Sequence, residues 1–173
     1  MEKIAFVVGI IAVILYFIGY QQKKRNNIIL FNASSRILYI VQYVLLGAFE
    51  GAVLDIVGTI SSLLAQKKNI RFIKKYLKLF IIAVNLMIIA AGLFAAGLSP
   101  DKNIFSLFPM IGVLLHTGAF WIDDEKRIRQ ISLLGSPFWL IYNFVCGAYG
   151  SCIGDILSIV SLITAMIRFD LKK

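Results

Sequence analysis

Seven apolar runs, each separated from the next by a short polar break, dominate the pattern of hydrophobic and polar positions along the chain. Each run approaches the roughly 20 mostly apolar residues that a helix needs to cross a bilayer. None of them alternates in the way that a membrane β-barrel strand does. Because unpaired backbone groups are not tolerated in hydrocarbon, all seven runs are expected to be helices. The predicted spans are 4–20, 28–47, 51–66, 76–97, 104–122, 130–147 and 151–168.

The composition indicates an integral membrane protein. Of the 173 residues, 60% are apolar and only 16% are charged, whereas a soluble domain is about half apolar and a quarter charged. This balance excludes a soluble enzyme, a disordered tail and a disulfide scaffold. The sequence contains no phosphate-binding loop, no nucleophile with its base and no paired catalytic carboxylates. We therefore expect neither an enzyme nor a cofactor.

The basic residues predict the orientation of the helices. The net charge is +9, and 15 of the 18 Lys and Arg residues fall on one side of the predicted bundle. The other side holds only Lys3 and Lys102, and Arg36 lies inside a run. Because Lys and Arg accumulate on the cytoplasmic side, the N-terminus is predicted outside and the C-terminus in the cytoplasm. The residues on the basic side are Lys23, Lys24, Arg25, Lys67, Lys68, Arg71, Lys74, Lys75, Lys78, Lys126, Arg127, Arg129, Arg168, Lys172 and Lys173.

A repeat with an offset of 100 residues relates the two halves of the chain. Between positions 47 and 65, six of 19 residues are identical to the residue 100 positions later, and Tyr39 aligns with Trp139. Three helices end on the opposite face from where they began, so two repeats in the same sense need one linker helix between them. The sequence thus predicts a single transmembrane domain over 1–173, built as a 3+1+3 parallel repeat. Its parts are a first repeat at 1–66, a linker helix at 67–103 and a second repeat at 104–173.

Over nearly its whole length the chain resembles the YgjV-type bacterial inner membrane proteins. The residues that carry the resemblance are QQKKR from Gln21, RILYIVQYVLLGAFEG from Arg36 and IRQISLLGSPFWLIYN from Ile128. The resemblance implies a multi-pass protein of the bacterial cytoplasmic membrane. The 3+1+3 arrangement is also similar to that of the SWEET and PnuC transporters. That similarity implies alternating access between the repeats, with a sugar or a vitamin precursor such as nicotinamide riboside as cargo.

The likeness to these transporters is uneven. The WLIYN run from Trp139 resembles the helix with which PnuC proteins hold a riboside. However, the chain contains no Pro-Gln pair, and the prolines that could hinge a helix, Pro109 and Pro137, occur only in the second repeat. This difference argues against symmetric rocking on proline hinges.

Asp55 and Asp155 occupy equivalent positions in the two repeats, inside predicted helices. A carboxylate within a span costs about 2.5–3.5 kcal/mol on insertion scales and is a functional candidate by default. In one interpretation the two aspartates face each other across the pseudo-twofold axis, as hydrogen-bond acceptors for a substrate or as proton carriers. In the other, each lies near a helix N-terminus, where it favours the helix dipole and ties a tight turn.

Aromatic and polar side chains form two further equivalent pairs. Tyr43 and Asn143 precede the turn glycines by four residues, and Tyr39 and Trp139 lie one turn deeper. Rings beside a polar layer suit a small ligand that stacks on them and hydrogen-bonds at its edge. The alternative is ordinary packing or an interfacial aromatic belt. The predicted substrate-binding residues are Trp139, Asn143, Asp55, Asp155, Tyr39 and Tyr43.

Four other side chains each have two interpretations. His116 either relays protons or is a hydrogen-bonded packing residue, and a single histidine makes no metal site. Arg36 either pairs with a carboxylate of its repeat or snorkels to the cytoplasmic interface, which the sequence favours. Cys146 and Cys152 flank the turn between the last two helices, where they either join in a disulfide or, as the sequence favours, remain thiols.

Two functions from different classes are compatible with this pattern. The first is a small-solute transporter that binds a sugar- or nucleoside-like molecule between its repeats. A neutral solute is expected because no basic residue is predicted to reach the polar layer. The second is a non-transporting scaffold or stress-related protein of the inner membrane. The expected partners are the lipid bilayer and a small neutral polar solute but not nucleic acid, because the basic clusters follow from topology. A homo-oligomer is compatible with either function.

Overall fold

The computed structural model describes residues 2–98, 104–145 and 149–170. Within these residues the chain forms eight α-helices and one short 3-10 helix, and no strand. The helical class is therefore confirmed. The helices are α1 (Glu2–Tyr20), α2 (Arg25–Leu46), α3 (Phe49–Gln66), α4 (Arg71–Lys75), α5 (Leu77–Leu98), α6 (Phe108–Ala119), α7 (Glu125–Val145) and α8 (Tyr149–Phe169), with the 3-10 helix at Ile104–Leu107 before α6.

Six of the predicted runs each correspond to one long helix, and α4 is an additional short helix in a basic loop. The run at 104–122 corresponds to the 3-10 helix followed by α6, which has 12 residues. Three of the helices contain a stretch long and apolar enough to cross a membrane: Arg25–Leu46, Leu77–Gly97 and Ser151–Phe169. The apolar stretches of α1, α3 and α6 are shorter, at 10–17 residues. The first turns of α7 contain several charged side chains, which shorten its apolar part. The seven-span topology stays a prediction.

The long helices pack as two groups of three. In the first group α2 contacts α1 and α3, and in the second α7 contacts α6 and α8. The groups meet where α1 contacts α8 and where α3 contacts α6, and α5 packs against α3 and α6. A glycine at the end of α2 makes the first hairpin tight, because Gly47 adopts φ +75°, a left-handed conformation that closes the helix.

The distribution of polarity is the reverse of that in a soluble protein. Large aliphatic and aromatic side chains cover the outside, among them Leu79, Leu86 and Phe94 of α5. Serines are buried where helices meet, and Ser62 and Ser158 each donate a hydrogen bond to a carbonyl oxygen one turn back in their own helix. Small polar residues at helix contacts are typical of membrane bundles. The outer surface is suited to lipid.

Two basic side chains join the two helix groups at one end of the bundle. Arg25 donates hydrogen bonds from Nε to the Ile122 carbonyl at 2.8 Å and from Nη2 to the carbonyls of Ala65, at 2.7 Å, and Phe120. These carbonyls lie at or just beyond the C-terminal ends of α3 and α6, where a positive charge is favourable. We call this end of the bundle, where α1, α3 and α6 finish, the basic end.

Lys68 adds a second cap at the basic end. Its Nζ donates to the Trp121 carbonyl at 2.7 Å and lies 2.6 Å from Asp123 Oδ1. The hydrogen bond from Lys68 to Asp123 lowers the pKa of the Asp123 carboxyl, so the ion pair between these two side chains persists at mildly acidic pH. The N–H groups of residues 120–122 bond to carbonyls three residues back and not four, so α6 ends at Ala119 and not at 122 as predicted.

Replacing Arg25 with glutamine should lower the free energy of unfolding by about 2 kcal/mol or more, because a buried carbonyl that loses its partner costs about 1–3 kcal/mol. Thermal unfolding of the purified protein in detergent measures this effect. Lys24→Gln is the matched control, since Lys24 is exposed and we expect its loss to change little. Equal unfolding temperatures for the two variants would contradict the capping role of Arg25.

Candidate functional site

A small cavity lies between the two helix groups. Its volume is about 40 Å³, and because one water needs about 10–15 Å³ of such space, it has room for about three or four waters. The structure brings all six predicted site residues together around this cavity. Their role as substrate-binding residues stays a prediction. The lining residues are Tyr16, Arg36, Tyr39, Tyr43, Asp55, Trp139, Asn143, Asp155 and Ser158.

Arg36 is the largest departure from the sequence-based expectation. Its side chain is 4% exposed, and its Nη1 lies 2.5 Å from Asp55 Oδ1. The snorkelling interpretation is wrong, and so is the expectation that no basic residue reaches this layer. The reason is distance: Arg36 lies three turns inside α2, about 16 Å from its start at 1.5 Å per residue. That is further than an arginine side chain extends, so the guanidinium is neutralised inside the bundle.

Asp55 is held by this ion pair and not by a turn. It is the seventh residue of α3 and 3% exposed, so it lies beyond the first turn where a carboxylate favours the helix dipole. A buried charge requires a partner, and Arg36 supplies it. The structure therefore favours an interior role for Asp55 over the interpretation as a helix-terminal residue.

Asp155, the equivalent residue of the second repeat, has a neutral partner. Its Oδ2 accepts a hydrogen bond from Asn143 Nδ2 at 2.8 Å. Among the described residues, no basic side chain lies within 4 Å of Asp155. The cavity thus combines one guanidinium, Arg36, with two carboxylates, Asp55 and Asp155. With both carboxylates ionised, it carries one negative charge in excess.

The aromatic side chains form a row along the cavity. The ring centroids of Tyr39 and Tyr43 lie 6.2 Å apart at an interplanar angle of 28°, and those of Tyr43 and Trp139 lie 6.4 Å apart at 17°. Tyr142 meets Trp139 edge-on at 6.2 Å. Tyr39, Tyr43 and Trp139 thus pack in a row and also line the cavity, and their part in binding a ligand stays a prediction.

A chain of buried hydrogen bonds extends from the cavity towards the basic end. His116 Nδ1 lies 2.9 Å from the Tyr16 hydroxyl and 3.1 Å from that of Tyr20. Asn32 connects them to the ion pair, since its Nδ2 lies 3.5 Å from the Tyr20 hydroxyl and its Oδ1 accepts from Arg36 Nε at 3.1 Å. His116 is thus a buried, hydrogen-bonded residue, one of its two predicted interpretations.

Sequence reasoning missed Tyr16, Tyr20, Asn32 and Ser158. One signal was available for the first of them, because Tyr16 lies 100 residues before His116 and is its equivalent in the repeat. The structure places these two residues in contact, with the Tyr16 hydroxyl 2.9 Å from His116 Nδ1. No such signal indicated Tyr20 or Asn32.

Two further expectations from the sequence concern metal binding and the cysteine pair Cys146 and Cys152. Within the described part of the chain, no three His, Cys, Asp or Glu side chains are grouped so as to hold a metal ion. Cys152 is buried, with its thiol 3.9 Å from the Leu140 carbonyl oxygen. Cys146 lies outside the described residues, so the state of this pair stays a prediction.

One comparison with known proteins gives a match. The model of a family described as Imp-YgjV, bacterial inner membrane protein, matches residues 3–173. Neither a curated protein nor a solved structure matches the chain. The likeness to SWEET and PnuC transporters stays a prediction.

Proposed function

The chain belongs to the Imp-YgjV family of bacterial inner membrane proteins, and from that premise we propose that it transports a small polar solute by alternating access. The two moving units are α1–α3 and α6–α8, with α5 as the linker between them. In this proposal seven helices cross the membrane, with the N-terminus outside and the basic end in the cytoplasm. The concentration of Lys and Arg at the basic end supports this orientation.

The contacts between the units support a parallel repeat. Under an offset of 100 residues, the contact of α1 with α8 corresponds to that of α6 with α3, and both are present. Two residues also contact their own equivalents. Tyr16 bonds to His116, and the Arg25 backbone N–H donates to Glu125 Oε1 at 3.2 Å. Such self-equivalent contacts are expected along a twofold axis between the units, which is where parallel-repeat transporters bind their cargo.

The observation that carries the proposal is the charged cavity between the units. Ionisable groups inside a membrane bundle are costly and mark solute or ion pathways. Here three of them, Arg36, Asp55 and Asp155, surround one small space. About 40 Å³ is well below the size of an open ligand site. In the proposed cycle, movement of one unit against the other would widen the cavity.

A non-transporting scaffold is the competing function. Such a protein would need its helices only to pack against each other. Apolar side chains, or polar side chains with all of their hydrogen bonds made, are sufficient for that. Asp155, with an amide as its only hydrogen-bond partner among the described residues, is costly for a scaffold and useful for a binding site. This difference favours transport.

Uptake into proteoliposomes tests the proposal, with a panel of sugars, nucleosides and small ammonium salts. Trp139→Ala and Asn143→Ala should each lower uptake of the transported solute by about tenfold or more, which corresponds to about 1.4 kcal/mol of lost binding. Leu134→Ala is the matched control on α7, because Leu134 points outward and is 64% exposed. The proposal fails if no solute is taken up or bound, or if both cavity variants transport normally.

A further inference from the structure

We propose that the cavity selects a small ammonium-type cation, held by the Asp155 carboxylate and the rings of Tyr39, Tyr43 and Trp139. This inference rests on the transport function proposed above and names its class of cargo. It replaces the neutral, hydroxyl-rich solute that the sequence suggested. Four properties of the site support it: its charge, its free hydrogen-bonding atoms, its aromatic walls and its size.

The charge of the site is the first. Arg36 neutralises Asp55 in a direct ion pair, which leaves the Asp155 charge without a basic partner among the described residues. An isolated carboxylate is very costly in a medium of low dielectric constant. A proton on Asp155 or a bound monovalent cation would remove the excess charge, whereas a neutral solute would leave it and an anion would add to it.

The free hydrogen-bonding atoms are the second. Asn143 is 2% exposed, and its Oδ1 has no hydrogen-bond partner among the described residues, while its Nδ2 is already bonded to Asp155. The groups left to bind a ligand beside Asp155 include two acceptors, Asn143 Oδ1 and the Asp155 carboxylate, and the hydroxyls of Tyr39 and Tyr43 can accept as well as donate. An ammonium group has donors and no acceptor, so all of these groups can accept from it.

The aromatic walls are the third. A cation near the face of Trp or Tyr is attracted by the ring quadrupole, by about 0.5–1 kcal/mol at exposed sites and by about 2 or more when desolvated. Tyr39, Tyr43 and Trp139 all line the same cavity as Asp155. A carboxylate combined with several rings recognises alkylammonium groups, because the rings contact the alkyl part that a carboxylate cannot bind.

Size is the fourth. The space of about three or four waters admits methylammonium, which has two non-hydrogen atoms. A hexose or a nucleoside is several times larger and would need a substantial expansion of the cavity. A small cation therefore fits the cavity without a change in the lining residues.

Fluorescence of Trp139 provides a direct binding test. The chain has two tryptophans, so Trp121→Phe leaves Trp139 as the reporter inside the cavity. This protein, in lipid nanodiscs, is titrated with methylammonium chloride, sodium chloride, sodium acetate and ribose. We expect a saturable change with methylammonium, and none with ribose or with either sodium salt over the same range.

Two variants, each built on this reporter protein, test the role of charge. Asp155→Asn, which keeps the shape, should weaken methylammonium binding by about tenfold or more, the equivalent of about 1.4 kcal/mol. Thr164→Ala, on the same helix but outside the cavity lining, should change it less than about twofold, since Thr164 is exposed and its Oγ1 donates to the Val160 carbonyl of its own helix. If Asp155→Asn does not fold, the selectivity of the reporter protein decides alone.

The outcomes separate this inference from the transport function. Saturable binding of ribose or sodium without binding of methylammonium overturns the assignment of an ammonium-type cation as cargo. Unchanged methylammonium binding in Asp155→Asn overturns it as well. If a nucleoside or sugar is instead transported in a Trp139-dependent manner, the transport function stands and only the cation assignment fails. If nothing on either panel is bound or transported, both fail.

Discussion

Replacing Asp55 with asparagine should destabilise the protein by about 3–5 kcal/mol, because it leaves the Arg36 guanidinium buried without a counter-charge. Arg36 and Asp55 are both almost fully buried and form a direct ion pair. Among the described residues, Asp55 is the one carboxylate within 4 Å of Arg36, and the other side-chain partner of Arg36, Asn32 Oδ1, carries no charge. Equilibrium unfolding in mixed detergent micelles measures the loss.

Two comparisons make this expectation specific to the ion pair. The double variant Arg36→Met, Asp55→Leu should recover most of the stability, because replacing a buried pair with apolar residues is often neutral or stabilising. Asp155→Asn is the matched change in the other repeat and should cost much less, since Asp155 has an amide and not a cation as its partner. Equal losses in Asp55→Asn and Asp155→Asn would contradict the assignment, as would a double variant no more stable than Asp55→Asn.

The sequence was sufficient to predict where the helices lie, because apolar runs of this length have few alternatives to helix in lipid. Boundaries were less predictable. The predicted sixth run began at 130, but α7 begins at Glu125, because its charged first turns belong to the helix and not to the loop. The positions of Arg25 and Lys68 in the sequence were used to predict the orientation of the bundle in the membrane. They did not predict that the two side chains cap helix ends, since nothing local in the sequence shows which carbonyls they reach.

The repeat was the most productive signal for the site. It singled out Asp55 and Asp155, and the pairs around them, and all six residues meet at one cavity. It did not reveal that equivalent residues have different partners. Asp55 is paired with Arg36, whose equivalent is Ser136, and Asp155 is paired with Asn143, whose equivalent is Tyr43. The offset of 100 residues shows which positions correspond. It does not show the partners of each aspartate, because the neighbouring side chains differ between the two halves of the chain.

The same limit explains the error over Arg36 and the omission of Tyr20 and Asn32. These residues were judged singly, by their depth in a helix. Their environment depends on which faces of α1, α2 and α6 meet, and the hydrogen bonds that join them cross between those helices. A single sequence gives the periodicity of each helix but not the rotation of one against another.

Gly112→Ala should abolish most of the transport while leaving the fold intact. A Cβ at this position of α6 would lie 2.6 Å from both Cδ1 and Nε1 of Trp139, closer than real Cβ contacts. An indole ring is rigid, so the ring must move away from α6, and Trp139 both lines the cavity and stacks on Tyr43. We expect uptake to fall by about tenfold or more, as for Trp139→Ala, with an overpacking cost of about 1–3 kcal/mol.

Gly118→Ala is the matched control for this substitution. It lies in the same helix, and a Cβ there meets no other atom within 4 Å, so the change should leave both uptake and the fluorescence of Trp139 unaltered. In Gly112→Ala the emission of Trp139 should shift, because the ring changes its surroundings even if the overall helix content does not. Normal uptake by Gly112→Ala with a shifted emission would show that the position of Trp139 does not matter to transport. Loss of uptake in both glycine variants would instead attribute the effect to α6 as a whole and not to its contact with the indole ring.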